Sequence, residues 1–271
     1  MTPRPLTLLW AILGMLLVLS ALFAPWIAPS DPSTDLPDRQ FAPPGAEFLL
    51  GADQFGRDVL SRTLWGGRYS LTAAALATLL ALTIGCGVGG VAGAFGGLID
   101  AALMRLIDVL LAIPGLLLAM ALIALIGPGQ QQAALAVGLS LAPGLSRLVR
   151  AAILTVRSAE YVTAARALGA GRLYILTRHL LPGIAGQVLA FSTLMFAWAL
   201  LNLAALDFLG LTGGPWPVTW GRMLNEGRAY LRDAPWIAFS PGLMLMLCVL
   251  TVSALGSRWR HDPAGGVTRY R

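Results

Sequence analysis

No charged residue stands between Arg68 and Asp100, and the run between them is rich in Leu, Ala and Gly. A bilayer's hydrocarbon core is crossed by about 20 apolar residues in a helix, so this stretch is more than long enough. It recurs: apolar runs of comparable character cover about residues 7–28, 109–126, 133–150, 184–206 and 236–256. The chain is 57% hydrophobic and only 12% charged, where an ordinary soluble domain carries about 25% charged residues. A soluble fold could not hide so much apolar side chain. The runs are continuously apolar rather than alternating in ten-residue segments, which excludes a transmembrane β-barrel. Backbone groups in lipid must pair internally, so the runs are read as helices. The expected fold is an all-α membrane protein with six transmembrane helices.

Six spans place both termini on one side. The connections on that side carry 12 of the 19 arginines, and the other side carries 7. The positive-inside rule puts both termini and the 147–182 connection in the cytoplasm. The run at residues 7–28 is too long for the apolar part of a secretory signal, and Pro25 and Pro29 crowd the cleavage region, so it is read as an uncleaved span. Arginines placed between apolar spans make lipid, not nucleic acid, the expected partner of the basic charge. Cys86 and Cys248 lie inside apolar runs with no second cysteine nearby, and read as small hydrophobes of packed helices. His179 and His261 are too far apart for a metal site.

Residues 29–68 form a proline-rich, charged segment outside the membrane. Within it Gly51 and Gly56 mark turns, and Asp53 is placed to cap the short segment after it. From Val59 onward a rough apolar stripe alternates with Arg57, Asp58, Arg62 and Arg68, which predicts a helix lying on the membrane surface ahead of the second span. Asp53 and Asp58 have no histidine or nucleophile beside them, so no catalytic site is read there. The second span repeats Gly85, Gly89, Gly93 and Gly97 at four-residue spacing. That presents one small face for close helix packing, in this chain or in a partner. Gly85, Gly87 and Gly90 have the spacing of a nucleotide fingerprint but sit inside an apolar helix with no preceding strand. Gly127, Pro128 and Gly129 break the chain between the third and fourth spans. Among polar residues in or near spans, Asn202, Asp207 and Arg147 are the pore candidates. An ionised group at mid-bilayer costs about 2.5–3.5 kcal/mol, so Asp207 is expected at the outer end of its span or facing the pore.

The 157–182 connection is helix-prone to Leu168, broken from Gly169 to Gly171 and expected to stop at Pro182. Val162, Ala165 and Leu168 share one helical face. Small Ala164 and Ala165 permit close approach by another protein, and an amphipathic helix resting on the membrane is the alternative. The segment resembles the cytoplasmic loop of ABC-importer permeases, whose pattern is Glu-Ala-Ala, three residues, Gly, nine residues, an apolar residue, one more, Leu and Pro. Ala164, Ala165, Gly169, Leu181 and Pro182 match in register; Thr163 replaces the Glu and His179 the apolar residue. Gly51 to Leu71, GADQFGRDVLSRTLWGGRYSL, is similar to the segment ahead of the second span in the C-type subunit of dipeptide, oligopeptide and nickel permeases. Leu206 to Leu211 with Pro215, Pro217, Trp220, Gly221, Met223 and Leu224 resembles a third stretch of that family.

The resemblance implies an N-terminal helix ahead of the five-helix MetI-like core of type I importers, in the bacterial inner membrane. The parts are residues 1–68, a core at 69–257 and a cytoplasmic tail at 258–271. Thr163, Ala164, Ala165, Arg166, Leu168, Gly169, Ala170, Leu181 and Pro182 would couple the chain to one or two ATP-binding subunits. A homologous permease would complete the pore, an extracytoplasmic binding protein would deliver the solute, and Gly51, Asp53, Gly56, Arg57, Asp58 and Arg62 would form an extracytoplasmic motif. ATP and Mg would be bound by the partner subunits. This chain has no P-loop and no lysine, so it is not expected to act as an enzyme itself. A peptide is the expected cargo, nickel or a metal chelate the alternative within the family, and a stand-alone secondary transporter the alternative outside it.

Overall fold

A computed structural model describes residues 5–213 and 217–259. Arg4, Pro215, His261 and the tail from Arg260 onward lie outside the described residues. Among the described residues the chain is helical, with one isolated bridge between Ala52 and Asp58.

The elements are α1 (Pro5–Leu22), the short α2 (Ala24–Ile27), α3 (Val59–Phe95), α4 (Gly97–Leu111), α5 (Gly115–Ile126), α6 (Gln130–Arg157), α7 (Glu160–Ala167), α8 (Arg172–Ile175), α9 (Leu181–Phe208), α10 (Trp220–Gly227) and α11 (Trp236–Trp259). Among the described residues, four helical runs are long and apolar enough to cross a membrane: α3, α6, α8 through α9, and α11 up to Gly256. The pair α4 and α5 makes a fifth, bent by 92°. α1, with 18 residues, is consistent with the remaining expected span.

Three expectations need correcting. The surface helix before the second span does not exist as a separate element, because α3 runs unbroken for 37 residues from Val59. Asp58 starts it by accepting from the Leu60 and Ser61 N–H groups at 3.3 and 2.9 Å, and nothing in the sequence breaks it before Phe95. The third span, expected straight over 109–126, is interrupted at residues 112–114. Pro114 has no N–H to give and pushes the residue before it out of helical conformation. Nor does the chain stop at Pro182. A π-helical turn at Leu176–Leu180 joins α8 to α9, so the helix runs on through Pro182, with that wider turn rather than an α-helical one immediately ahead of the proline.

The bundle is held chiefly by α3 against α6. A Cβ on Gly85 would stand 2.7 Å from the Leu145 side chain, one on Gly89 2.3 Å from the Ser146 carbonyl oxygen, and one on Gly93 2.8 Å from Ile153. The four-residue glycine spacing therefore serves a contact inside this chain. Gly97 does not take part, since it opens α4 and a Cβ there meets nothing.

Buried apolar side chains fall into three layers along the bundle. Val59, Val218, Met223 and Ile237 lie at one end. Ala77, Val137, Leu200 and Leu206 fill the middle. Leu145, Ile153, Val162, Leu180 and Ile184 close the other end. The chain direction puts the 28–58 segment and α10 at the first end. The start of α1, the end of α11 and the α7–α8 segment share the other.

Candidate functional site

At the first end a loop, a helix start and a distant helix meet on one set of charges. Asp53 is 1% exposed and Arg62 2%. Asp53 Oδ2 accepts from Arg57 Nε and from Arg62 Nη1, each at 2.7 Å, and Arg62 Nη2 donates to Glu226 on α10 at 2.7 Å. Asp53 Oδ1 accepts from the Phe55 and Arg57 N–H groups at 2.8 and 3.0 Å. Asp53 thus folds the loop rather than capping α3, and Asp58 takes the cap. Gly56 has φ +77°, and a Cβ on it would sit 1.9 Å from the Leu36 carbonyl oxygen. The expected Gly51, Asp53, Gly56, Arg57, Asp58 and Arg62 are therefore brought together. Arg62, expected on the polar side of a surface helix, is instead buried, its guanidinium spent on buried Asp53 and on Glu226, which is 23% exposed. Glu226 is the member that sequence reasoning missed; it stands 164 positions from Arg62, and no local signal points to it.

Beside this cluster α9 turns into α10. Asp207 is buried and accepts from Thr219 Oγ1 at 2.7 Å, while Thr219 caps α10 through the Arg222 N–H at 3.2 Å. Arg222 also donates to the Gly213 carbonyl. Gly221 lets α10 lie on α9, since a Cβ there would be 2.5 Å from the Ala204 carbonyl oxygen. Trp220 inserts against α3, donating from Nε1 to the Thr63 carbonyl at 2.9 Å. Asn202 is half-buried and donates to the Trp198 carbonyl of its own helix at 2.8 Å. It is not joined to Asp207.

At the opposite end α7 projects between α6 and α8. Val162 is fully buried, Ala165 half-buried, and Thr163, Ala164, Arg166 and Leu168 are exposed. The single apolar face expected for Val162, Ala165 and Leu168 is thus split: Val162 anchors the helix and Leu168 is 89% exposed. Gly169 has φ +85°. Its N–H donates to the Arg166 carbonyl at 3.0 Å, and the Ala170 N–H donates to the Ala165 carbonyl at 3.1 Å. These two bonds form the Schellman close of a helix, which needs a left-handed residue at this position. Leu181 is half-buried and Pro182 exposed at the start of α9. Tyr161 on α7 reaches that start, its hydroxyl lying 3.2 Å from where a Cβ on Gly183 would be. His179 lies between the Tyr161 and Tyr174 rings, at centroid distances of 6.0 and 5.8 Å. The π-helical turn carrying His179 had no signal in the apolar periodicity. Arg147 pairs with Asp108 of α4 at 2.5 Å.

Known proteins share this outline. Residues 85–259 match the family model described as "Binding-protein-dependent transport system inner membrane component". The di/tripeptide transport system permease protein DppC of Pseudomonas aeruginosa is 40% identical over 92% of this chain and 85% of its own length. The glutathione transport system permease protein GsiD of Escherichia coli is 38% identical over 93% of this chain and 84% of its own. Among solved structures, an inward-facing conformation of the MetNI methionine ABC transporter superposes with a TM-score of 0.61 at 19% identity, covering 75% of this chain and 95% of that one. That likeness concerns the fold.

Proposed function

The chain belongs to the family of binding-protein-dependent transport system inner membrane components, and from that premise we propose that it forms half of a pore importing di- or oligopeptides. A homologous permease supplies the other half. One or two ATP-binding subunits dock at the α7 end, which faces the cytoplasm together with both termini. An extracytoplasmic binding protein delivers peptide at the Asp53 end. Peptide as cargo is supported by the di/tripeptide and glutathione systems to which the similar permeases belong.

The observation that carries the reading is the α7–Gly169–α8 unit. Val162 pegs it into the core, its Ala164 face is uncovered, and Tyr161 ties it to the start of α9. A force applied to α7 passes into two long helices: α6 through the short break at residues 158–159, and α9 through the π-helical turn. Such a lever switches the pore only if ATP binds the two states of the assembly unequally. Thr163, Ala164, Ala165, Arg166, Leu168, Gly169 and Ala170 form the docking surface, with Leu181 and Pro182 at the root of the lever. ATP and Mg are held by the partner subunits. Of the pore candidates on α9, half-exposed Asn202 is better placed to meet solute than buried Asp207.

The test is a crosslink from Ala164→Cys, in a chain whose Cys86 and Cys248 are replaced by Ala, made in membranes containing the partner subunits. Capture of an ATP-binding subunit is the expected result. Capture of lipid alone would make α7 a surface-resting helix.

A further inference from the structure

Between α6 and α9, the two helices that flank the α7–α8 unit, lies an open groove of about 510 Å³ lined by Gly144, Arg147, Ala151, Thr155, Gln187 and Phe191. We propose that this groove is a station on the solute path where Arg147 binds the C-terminal carboxylate of the peptide in transit. The proposal rests on the peptide-import reading.

Four observations carry it. First, three polar side chains, Arg147, Thr155 and Gln187, stand exposed in a lining that is otherwise apolar. Second, Arg147 lies about 25 Å along α6 from its start at Gln130, at 1.5 Å per residue. That is near the cytoplasmic edge of a hydrocarbon core roughly 30 Å thick. An ionised side chain that is 57% exposed there reaches water rather than lipid. Third, the two arginines of this stretch are held differently. Arg150 donates twice to Asp100, at 2.5 and 2.6 Å. Among the described residues Arg147 makes one hydrogen bond, from Nη2 to Asp108 Oδ1 at 2.5 Å, so a carboxylate that takes the place of Asp108 can be held by Nη2 together with Nε or Nη1, in the forked geometry that guanidinium favours. Fourth, Asp108 is itself 53% exposed. An exposed ion pair contributes little on its own, so the incoming carboxylate can displace Asp108 without a large cost. Gln187, whose side chain makes no hydrogen bond among the described residues, can meet a peptide amide. The empty site satisfies its charge through Asp108, and the exchange holds peptide weakly enough to release it, as a transit site requires.

The test uses the whole complex in nanodiscs without nucleotide, in the Cys86→Ala and Cys248→Ala background, with Thr155→Cys as reporter. A charged, water-soluble thiol reagent is expected to label the reporter. An N-acetylated dipeptide with a free carboxylate, at ten times its dissociation constant, should slow labelling about tenfold by occupancy. The same peptide with its carboxylate amidated should not. Arg147→Gln should abolish protection, whereas Asp108→Asn, which breaks the same ion pair, should retain it. An unreactive reporter would overturn the proposal, since lipid or the second permease would then cover the groove. So would equal protection by the amide, or equal behaviour of the two variants. ATP-driven peptide uptake by the unaltered complex is measured alongside. Its absence would defeat the import reading itself, and its presence with any of those results defeats the groove alone.

Discussion

Adding one methyl group at Gly89 should do what adding it two residues earlier does not. A Cβ on Gly89 would lie 2.3 Å from the Ser146 carbonyl oxygen and 2.8 Å from Val149 Cβ. Ordinary contacts between heavy atoms are about 3.5–4.0 Å, so α3 and α6 must part locally by about 1 Å. Backbone is among the atoms met, so no rotamer change relieves the clash. Overpacking of this kind costs about 1–3 kcal/mol, and the better helix propensity of Ala returns up to about 1 kcal/mol. Gly87→Ala is the control on the same helix, because a Cβ there meets nothing within 4 Å. It receives only the propensity gain. The assay is thermal unfolding of the purified chain in one detergent, followed by tryptophan fluorescence. Gly89→Ala is expected to unfold several degrees below the parent, and Gly87→Ala at or above it. Equal midpoints for the two variants would refute the glycine-mediated contact between α3 and α6.

Asp53→Asn leaves Arg62 buried with one carboxylate instead of two; breaking a buried pair costs about 3–5 kcal/mol, to be read as a lower unfolding midpoint with easier proteolysis of the 28–58 segment. Gly169→Ala strains a left-handed residue by about 1–2 kcal/mol, and Gly169→Asn by less. ATP-driven uptake should fall in the order Gly, Asn, Ala while membrane insertion stays constant. Trp220→Phe removes the hydrogen bond to the Thr63 carbonyl, worth about 0.5–1.5 kcal/mol, and should lower the unfolding midpoint by a few degrees. Asp100→Asn, on a partly exposed pair, should change stability by no more than about 1 kcal/mol.

The membrane class, the order of the apolar segments and the packing face at Gly85, Gly89 and Gly93 were legible in the sequence, because each depends on local spacing. The register of Ala164, Ala165 and Gly169 was legible for the same reason, and Gly169 stands where the helix close requires it. What escaped depends on contacts between distant positions. Nothing near Arg62 announces Glu226, and without that partner the arginine reads as a solvent-facing charge on a surface helix. The bend at Pro114 was hidden by the apolar run on either side, although the missing N–H was there to be read. The path of the helix through Pro182 was missed because a π-helical turn has no period of its own to detect in apolar spacing.

The central claim is tested most directly by reconstituting the chain with its homologous permease, the ATP-binding subunits and the binding protein, and measuring uptake of a labelled dipeptide into proteoliposomes. The account predicts uptake that requires ATP, the binding protein and both permeases, and that ceases when α7 is blocked by a modified Ala164→Cys. Uptake by this chain alone, without ATP or partners, would contradict it.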